Sequence, residues 1–309
     1  MLKADTTSLI TEHSSLITDY FGYTCRAMDA VLPRYLSISA MELGRGHRVR
    51  IQILGGMESV AQHLAEAVFG EIMEAQRNGR GATLIVPVGP VDQFPILAKM
   101  INARKLSCHE TVFINMDEYL TEDDRWIPQE HPLSFRGYMQ RAFYDLIDPA
   151  LAPPPENRVF PNPQNLGAIP QLIEAHGVVD ACFGGIGING HLAFNEPTEP
   201  GESCSLEEFA ARPTRVLNLS RETRTINSVT VGGEISILPK RAVTVGMKEI
   251  LASRRLRFYC NRPWQSAVVR RALHGPVTPE CPASLLRLHA DAVLTVAEYV
   301  AAPPDIRLR

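Results

Sequence analysis

The sequence predicts an α/β fold in which a mostly parallel sheet is covered by helices on both faces. Three observations predict it. From about residue 49 onward, short apolar runs alternate with amphipathic stretches. The runs are continuously apolar rather than alternating, as in strands buried on both faces. Glycine-rich or acidic turns close several of the runs, where folds of this class bind their ligands.

The elements follow in chain order. VRIQIL (49–54) reads as the first strand. ESVAQHLAEAVFGEIMEA (58–75) reads as a helix with Val60, Leu64, Ala67, Val68 and Ile72 on one face. ATLIVPV (82–88) is a strand, FPILAKMINARK (94–105) a helix, TVFINM (111–116) a strand and PLSFRGYMQRAFYDLI (132–147) a helix. APPPENRVFPNPQN (152–165) is a proline-rich loop, with Pro153-Pro154-Pro155 a surface spacer. QLIEAHG (171–177) closes a helix with Gly177 just past its end. VVDACFGG (178–185) is a strand entering a glycine-rich turn; RAVTVG (241–246), RRLRFYC (254–260) and DAVLTV (291–296) are further strands, with a helix near 263–274. Residues 1–45 read as a helical N-terminal extension broken at Pro33, and 46–309 as a single α/β domain.

Composition narrows the function. The 309 residues carry 31 basic and 34 acidic side chains, a net charge of −3, so there is no basic excess to neutralise a phosphate backbone and nucleic acid is not an expected partner. No apolar run is long enough to span a membrane, and the first residues lack the basic-then-apolar order of a secretory signal. Cys25, Cys108, Cys182, Cys204, Cys260 and Cys281 are scattered, with no CxxC and no paired Cys/His spacing, which points away from a metal site or a disulfide framework. Cys108, Cys182 and Cys260 lie in or beside apolar runs and read as reduced core thiols, which suits a cytosolic protein.

Two strand ends carry chemistry. Asp117 and Glu118 directly follow a buried run, where packing explains acids poorly. In GGIGINGH, closely spaced glycines (Gly185, Gly187 and Gly190 among them) lead to His191, and LAFNEP then brings Glu196. A histidine with a nearby carboxylate suits an acid–base pair, because the carboxylate sets the tautomer and supports the imidazolium.

FINMDEYL, FGGIGINGHLAFNEP and LPKRAVTVG, in this order, resemble the glucosamine-6-phosphate deaminase/isomerase family, with fainter similarity over about 49–297. The resemblance implies a Rossmann-like three-layer fold, assembly as a homo-oligomer, and conversion of an amino-sugar phosphate to ketose phosphate and ammonia with no metal or organic cofactor. It implies that Asp117 moves a proton between C2 and C1 of the open-chain sugar, that His191 assists ring opening, and that Glu196 orients this histidine. Asn189 stands where the family has an aspartate, which places it among the catalytic candidates. Gly89, Glu118, Tyr119, Gly185, Gly187, Gly190 and Arg262 are the substrate-binding candidates; His131 is a candidate for the pocket wall, and Trp126 and Trp264 are rings able to stack on a sugar, with core or surface packing as their default reading.

The phosphate site departs from the family's. Its first phosphate loop, a Thr-Gly-Gly-Thr-Pro turn, is replaced by Val88-Gly89-Pro90-Val91-Asp92. Pro90 has no N–H to donate and Asp92 repels an anion. Val229 stands in place of a phosphate-binding arginine, and Trp264 or Gln265 in place of a lysine. The expected substrate is therefore a sugar not held by a 6-phosphate in the family's way, with Arg221, Arg224, Arg254 or Arg262 left to hold an anion elsewhere. Leu217 replaces one lysine of the allosteric pocket, so cooperative regulation is not expected. A sugar-binding regulatory protein and a phosphogluconolactonase-like hydrolase are the alternatives; 1–45 shows no basic recognition helix, and the intact MDEY and NEP motifs fit the deaminase better.

Overall fold

In a computed structural model of the chain, the structure describes residues 32–90 and 92–307. The helical extension expected at 1–45 lies mostly outside the described residues. Its described end forms only two 3-10 turns, Arg34–Ser37 and Ala40–Glu42. A compact unit begins at Tyr35.

Strand β1 (Arg50–Leu54) leads into helix α1 (Met57–Arg77), which buries Val60, Leu64, Val68 and Ile72 along one stripe, while Ala67 is half-buried. Strand β2 (Thr83–Val86), helix α2 (Gln93–Arg104) and strand β3 (Val112–Asn115) follow, both strands buried along their whole length. After Met116 the chain enters strand β4 (Asp117–Leu120). Helix α3 (Phe135–Ala142) is capped by Ser134, whose Oγ accepts from the Gly137 N–H. The expected 132–147 helix is shorter than its apolar pattern, because the chain tightens into a 3-10 turn at Tyr144–Leu146. The proline-rich loop contains a 3-10 turn and the two-residue strand β5 (Arg158–Val159). Helix α4 (Ala168–His176) ends at Gly177, whose φ of +85° glycine adopts without strain and whose N–H reaches the Ile173 carbonyl at 2.8 Å.

Strand β6 (Ala181–Gly184), helix α5 (Leu206–Ala210), strand β7 (Arg215–Asn218), helix α6 (Arg221–Ser228), strand β8 (Arg241–Thr244) and helix α7 (Met247–Leu251) come next. Strand β9 (Arg255–Cys260), helix α8 (Gln265–His274), strand β10 (Ala292–Ala297) and the short helix α9 (Glu298–Ala301) complete the unit.

The strands form two sheets. The larger, in order β1-β10-β9-β6-β2-β3-β5, is parallel throughout. The smaller, β4-β8-β7, is antiparallel. This corrects the placing of residues 241–246 beside the other apolar runs. Ala242 and Val243 are apolar because β8 is the middle strand of the second sheet. Cys108, Cys182 and Cys260 are buried free thiols. Among the described residues no helix is long and apolar enough to cross a membrane, and no group of metal-ligating side chains occurs.

The main chain leaves β2 toward β3 on one side, and β6 lies on β2's other side. The loops after β2 and β6 therefore diverge, and a crevice opens at their carboxyl ends, as sheets of this type require.

Candidate active site

A cavity of about 580 Å³ fills that crevice. Its wall includes Gly89 and Pro90 after β2, Asp117, Gly185 and Gly187 after β6, and His191. The volume suits a small-molecule ligand.

Asp117 is placed by the seam between the two sheets. The Met116 N–H donates to the Val86 carbonyl of the parallel sheet, and the Met116 carbonyl accepts from the Val245 N–H, one residue past β8. One residue thus belongs to both hydrogen-bond systems, and Asp117 follows as the first residue of β4, opposite Thr244. Among the described residues no donor holds its carboxyl. Burial first, and then the neighbouring Glu118 charge, push its pKa well above the usual carboxylate range. A buried carboxyl of high proton affinity, open to a cavity, is equipped to take a proton from carbon and return it.

His191 is held from behind. Its Nδ1 lies 2.8 Å from Asn189 Oδ1 and 3.1 Å from Thr223 Oγ1. The His191 backbone N–H also donates to Asn189 Oδ1, at 3.2 Å, which fixes the amide's orientation. Asn189 Nδ2 then donates to Glu196 Oε2 at 2.7 Å and to Ser220 Oγ at 3.2 Å. Glu196 Oε2 also accepts from the Thr223 hydroxyl, and Oε1 from the Ser220 N–H at the start of α6. With these donors committed, the proton on Nδ1 points at Asn189 and Nε2 is the nitrogen left for chemistry. Gly187 makes room for it: a Cβ there would fall 2.0 Å from Nε2. Glu196 Oε2 is 3.6 Å from Nδ1, close enough for charge attraction but too long for a hydrogen bond. Burial raises the Glu196 pKa, but the His191 ring, the Asn189 amide and the Thr223 hydroxyl outweigh it and hold it at about 2. Glu196 is therefore a carboxylate across the working pH range.

The amide at 189 thus acts as a bridge. It accepts from the imidazole and hands its own protons to Glu196 and Ser220, while Glu196 supplies the negative charge. The substitution Asn189→Leu is expected to lower turnover by about tenfold or more, because the imidazole loses the acceptor that orients it. A measured kcat equal to that of the unchanged chain would contradict this account of the bridge.

Several expected site residues lie elsewhere. Glu118 is fully buried on the other side of β4, bonded to Tyr119, Ser134, Phe135 and Arg136, so the expectation that it binds substrate is corrected. Successive strand residues face opposite ways, and the acid pair is divided between cavity and core. Tyr119 sits behind the wall, packed on Phe135 and Phe194, its hydroxyl accepting from Asn227, which does line the cavity. Gly190 is a turn residue with φ of +97° packed against Cys281, not a wall residue. Trp126 donates to the Pro161 carbonyl under Arg136, and His131 Nδ1 accepts from the Leu133 N–H in a turn. Trp264 does line the cavity. Of the four arginines, Arg224 donates to the Ile235 carbonyl, Arg254 lies 3.7 Å from Asp180, Arg221 lines no part of the cavity, and Arg262 lines it. Ser220, Thr223 and Asn261 were not legible as site residues; Ser220 followed by Thr223 is a helix-start pattern that announces α6 but not its neighbour Glu196.

Fold and site define an α/β enzyme with its cleft at the carboxyl edge of a parallel sheet. No protein-family model matches the chain. It is 32% identical over 231 residues to the glucosamine-6-phosphate deaminase of Serratia proteamaculans (strain 568), covering 71% of this chain and 79% of that protein. It is 30% identical over 227 residues to that of Yersinia enterocolitica, with the same coverage. A solved structure of a monomeric glucosamine-6-phosphate deaminase, described as a missing link of the NagB superfamily, superposes with a TM-score of 0.70 at 27% identity, covering 82% of this chain and 99% of that one. The 6-phosphogluconolactonase of Thermotoga maritima matches at 0.58 and 14%, a likeness of fold alone. The chain belongs to the glucosamine-6-phosphate deaminase family.

Proposed function

We propose that this chain isomerises and deaminates a 2-amino sugar by acid–base catalysis. The observation that carries the reading is that Asp117 and His191 line one cavity, the carboxyl unheld and the imidazole oriented through Asn189. His191 Nε2 passes a proton at the ring oxygen as the ring opens. Asp117 takes the C2 proton, the electron pair forms the C1–C2 double bond of an enol-amine, and the C1 oxygen is protonated. Return of the proton to C1 leaves a protonated imine at C2. Water adds there, ammonia leaves, and a ketose remains.

The sugar is not gripped by a 6-phosphate in the family's manner. Val88, Gly89, Pro90, Val229, Trp264 and Gln265, which stand at the family's phosphate-binding positions, all line the cavity. None offers a cation. The lactonase reading has only the shared fold behind it.

The test is ammonia and ketose formation from 2-amino hexoses carrying a hydroxyl, a phosphate or a carboxylate at C6. Ammonia is expected from at least one of them, with kcat/KM for the phosphate ester no more than about tenfold above glucosamine, since the anion contacts that phosphate requires are missing. No ammonia from any of the three would overturn the reaction. A strong preference for glucosamine 6-phosphate would overturn the substrate change.

A further inference from the structure

The cavity has a second polar end. Asn261 and Arg262 directly follow β9, and both line the wall. Arg262 is the one lysine or arginine among the described lining residues. Its guanidinium meets only the thioether of Met57, at 3.0 Å, with no carboxylate in ion-pair reach among the described residues. A thioether is a weak acceptor, so the guanidinium's main donors are uncommitted. Asn261 is 3% exposed, and its Nδ2 has no hydrogen-bond partner. A buried amide donor left unpaired is unfavourable, and Asn261 stands in the cavity wall, so a ligand acceptor is a natural partner for it.

We infer that Asn261 and Arg262 form an anion-binding end of this cavity, and that the substrate is a sugar acid whose carboxylate they hold. The inference rests on the proposed function in taking the ligand for a sugar lying between Asp117 and this end.

Charge favours a carboxylate. A phosphate ester carries about −1.5 to −2 near neutral pH. The wall opposes it with a single fixed cation, beside a loop at 88–90 that offers no hydroxyl and, at Pro90, no N–H. One guanidinium balances one carboxylate, and its planar fork matches two carboxylate oxygens. Spacing agrees. Strands β9 and β3 are separated by β6 and β2, so their carboxyl ends stand roughly 14 Å apart at about 4.8 Å per strand. Asp117 and Arg262 both line the cavity, and that separation leaves room between them for the extended C2–C6 span of a hexose, about 5 Å.

The experiment is calorimetric titration of the full chain with D-glucuronate, D-glucose and glucose 6-phosphate. These sugars lack the 2-amino group, so binding is read apart from turnover. Glucuronate is expected to bind at least tenfold more tightly than glucose and more tightly than glucose 6-phosphate. R262Q is expected to remove the preference with thermal unfolding unchanged, and R262K to keep part of it. N261L serves as a second variant with the same expected direction. Equal affinity for glucose and glucuronate, absence of glucuronate binding, tighter binding of glucose 6-phosphate, or a preference that survives R262Q would each overturn the inference. Arg262-dependent glucuronate binding in a chain that releases no ammonia would leave the inference standing and sink the reaction instead.

Discussion

Asp117→Asn is expected to lower kcat by about 10³ while raising the thermal midpoint by several degrees at neutral pH. The loss follows from removing the one carboxyl that lines the cavity among the described residues, since a positioned acid or base contributes about 10²–10⁴ to rate. The gain in stability has a separate cause. Burial, and then the charge of Glu118, raise the pKa of Asp117 above its unfolded value. The folded state therefore binds a proton that the unfolded state has released, and stability falls as pH rises from the unfolded pKa through the raised folded one. The penalty is complete above the folded pKa and absent below about pH 4, the ordinary aspartate range. Asparagine has nearly the same shape and no charge to desolvate, so its advantage is expected to vanish as the pH is taken below 4. The same shift sets the acid limb of kcat/KM in the unchanged chain, which is expected above the usual carboxylate range because the base works only when deprotonated. Thermal melts of both chains from pH 3 to 8, with rates beside them, check all of this. A variant no more stable at neutral pH, or an acid limb in the ordinary aspartate range, would mean that Asp117 is not the strained base the geometry describes.

Much of the fold was legible, and the reason is local. TLIV, VFIN and ACFG are buried at every position and apolar but for Thr83 and Asn115, and only a strand covered on both faces needs such a run. The helix at 57–77 shows its buried stripe in its own spacing. The second sheet was not legible, because its strands are four residues each and too short to show a period. DEYL in particular reads as two acids ending a strand, when it begins another. His191 and Glu196 were legible as neighbours because only four residues separate them. The use made of Asn189 was not, since Ser220, which accepts from the amide, and Thr223, which meets both His191 and Glu196, lie about thirty residues further on. Without them an amide there resembles a lost charge; with them it is a link between imidazole and carboxylate. Asn261 illustrates the opposite limit: nothing local distinguishes an asparagine after a strand from a turn residue, and only its missing partner, visible in three dimensions, marks it.

Glu118→Gln, one residue from Asp117, is expected to do the reverse: destabilise the fold by about 3–5 kcal/mol while leaving the chemistry of the molecules that remain folded largely intact. Glu118 is fully buried and accepts from the Tyr119 and Phe135 N–H groups on Oε1, and from the Ser134 hydroxyl, the Arg136 N–H and Arg136 Nε on Oε2. Two of those N–H groups belong to the first turn of α3, where a carboxylate also meets the favourable end of the helix dipole. The Arg136 guanidinium, 3.3 Å away through Nε, is itself stacked over Trp126 at 4.5 Å and bonded to the Ile127 carbonyl. One buried carboxylate thus ties β4, the start of α3 and the 120–136 loop together. Glutamine keeps the shape but turns one oxygen into a donor, so whichever way the amide lies, donors face a donor and a buried arginine loses its counter-charge. With unfolding entropies typical of a chain this size, the midpoint is expected to fall by about 5–8 °C. Below that midpoint, kcat per folded molecule is expected to stay within about tenfold of the unchanged chain, against the 10³ loss for Asp117→Asn. Equal catalytic losses at 117 and 118, with no thermal shift at 118, would show that the two acids act on substrate together and that the core side of β4 is not where Glu118 does its work.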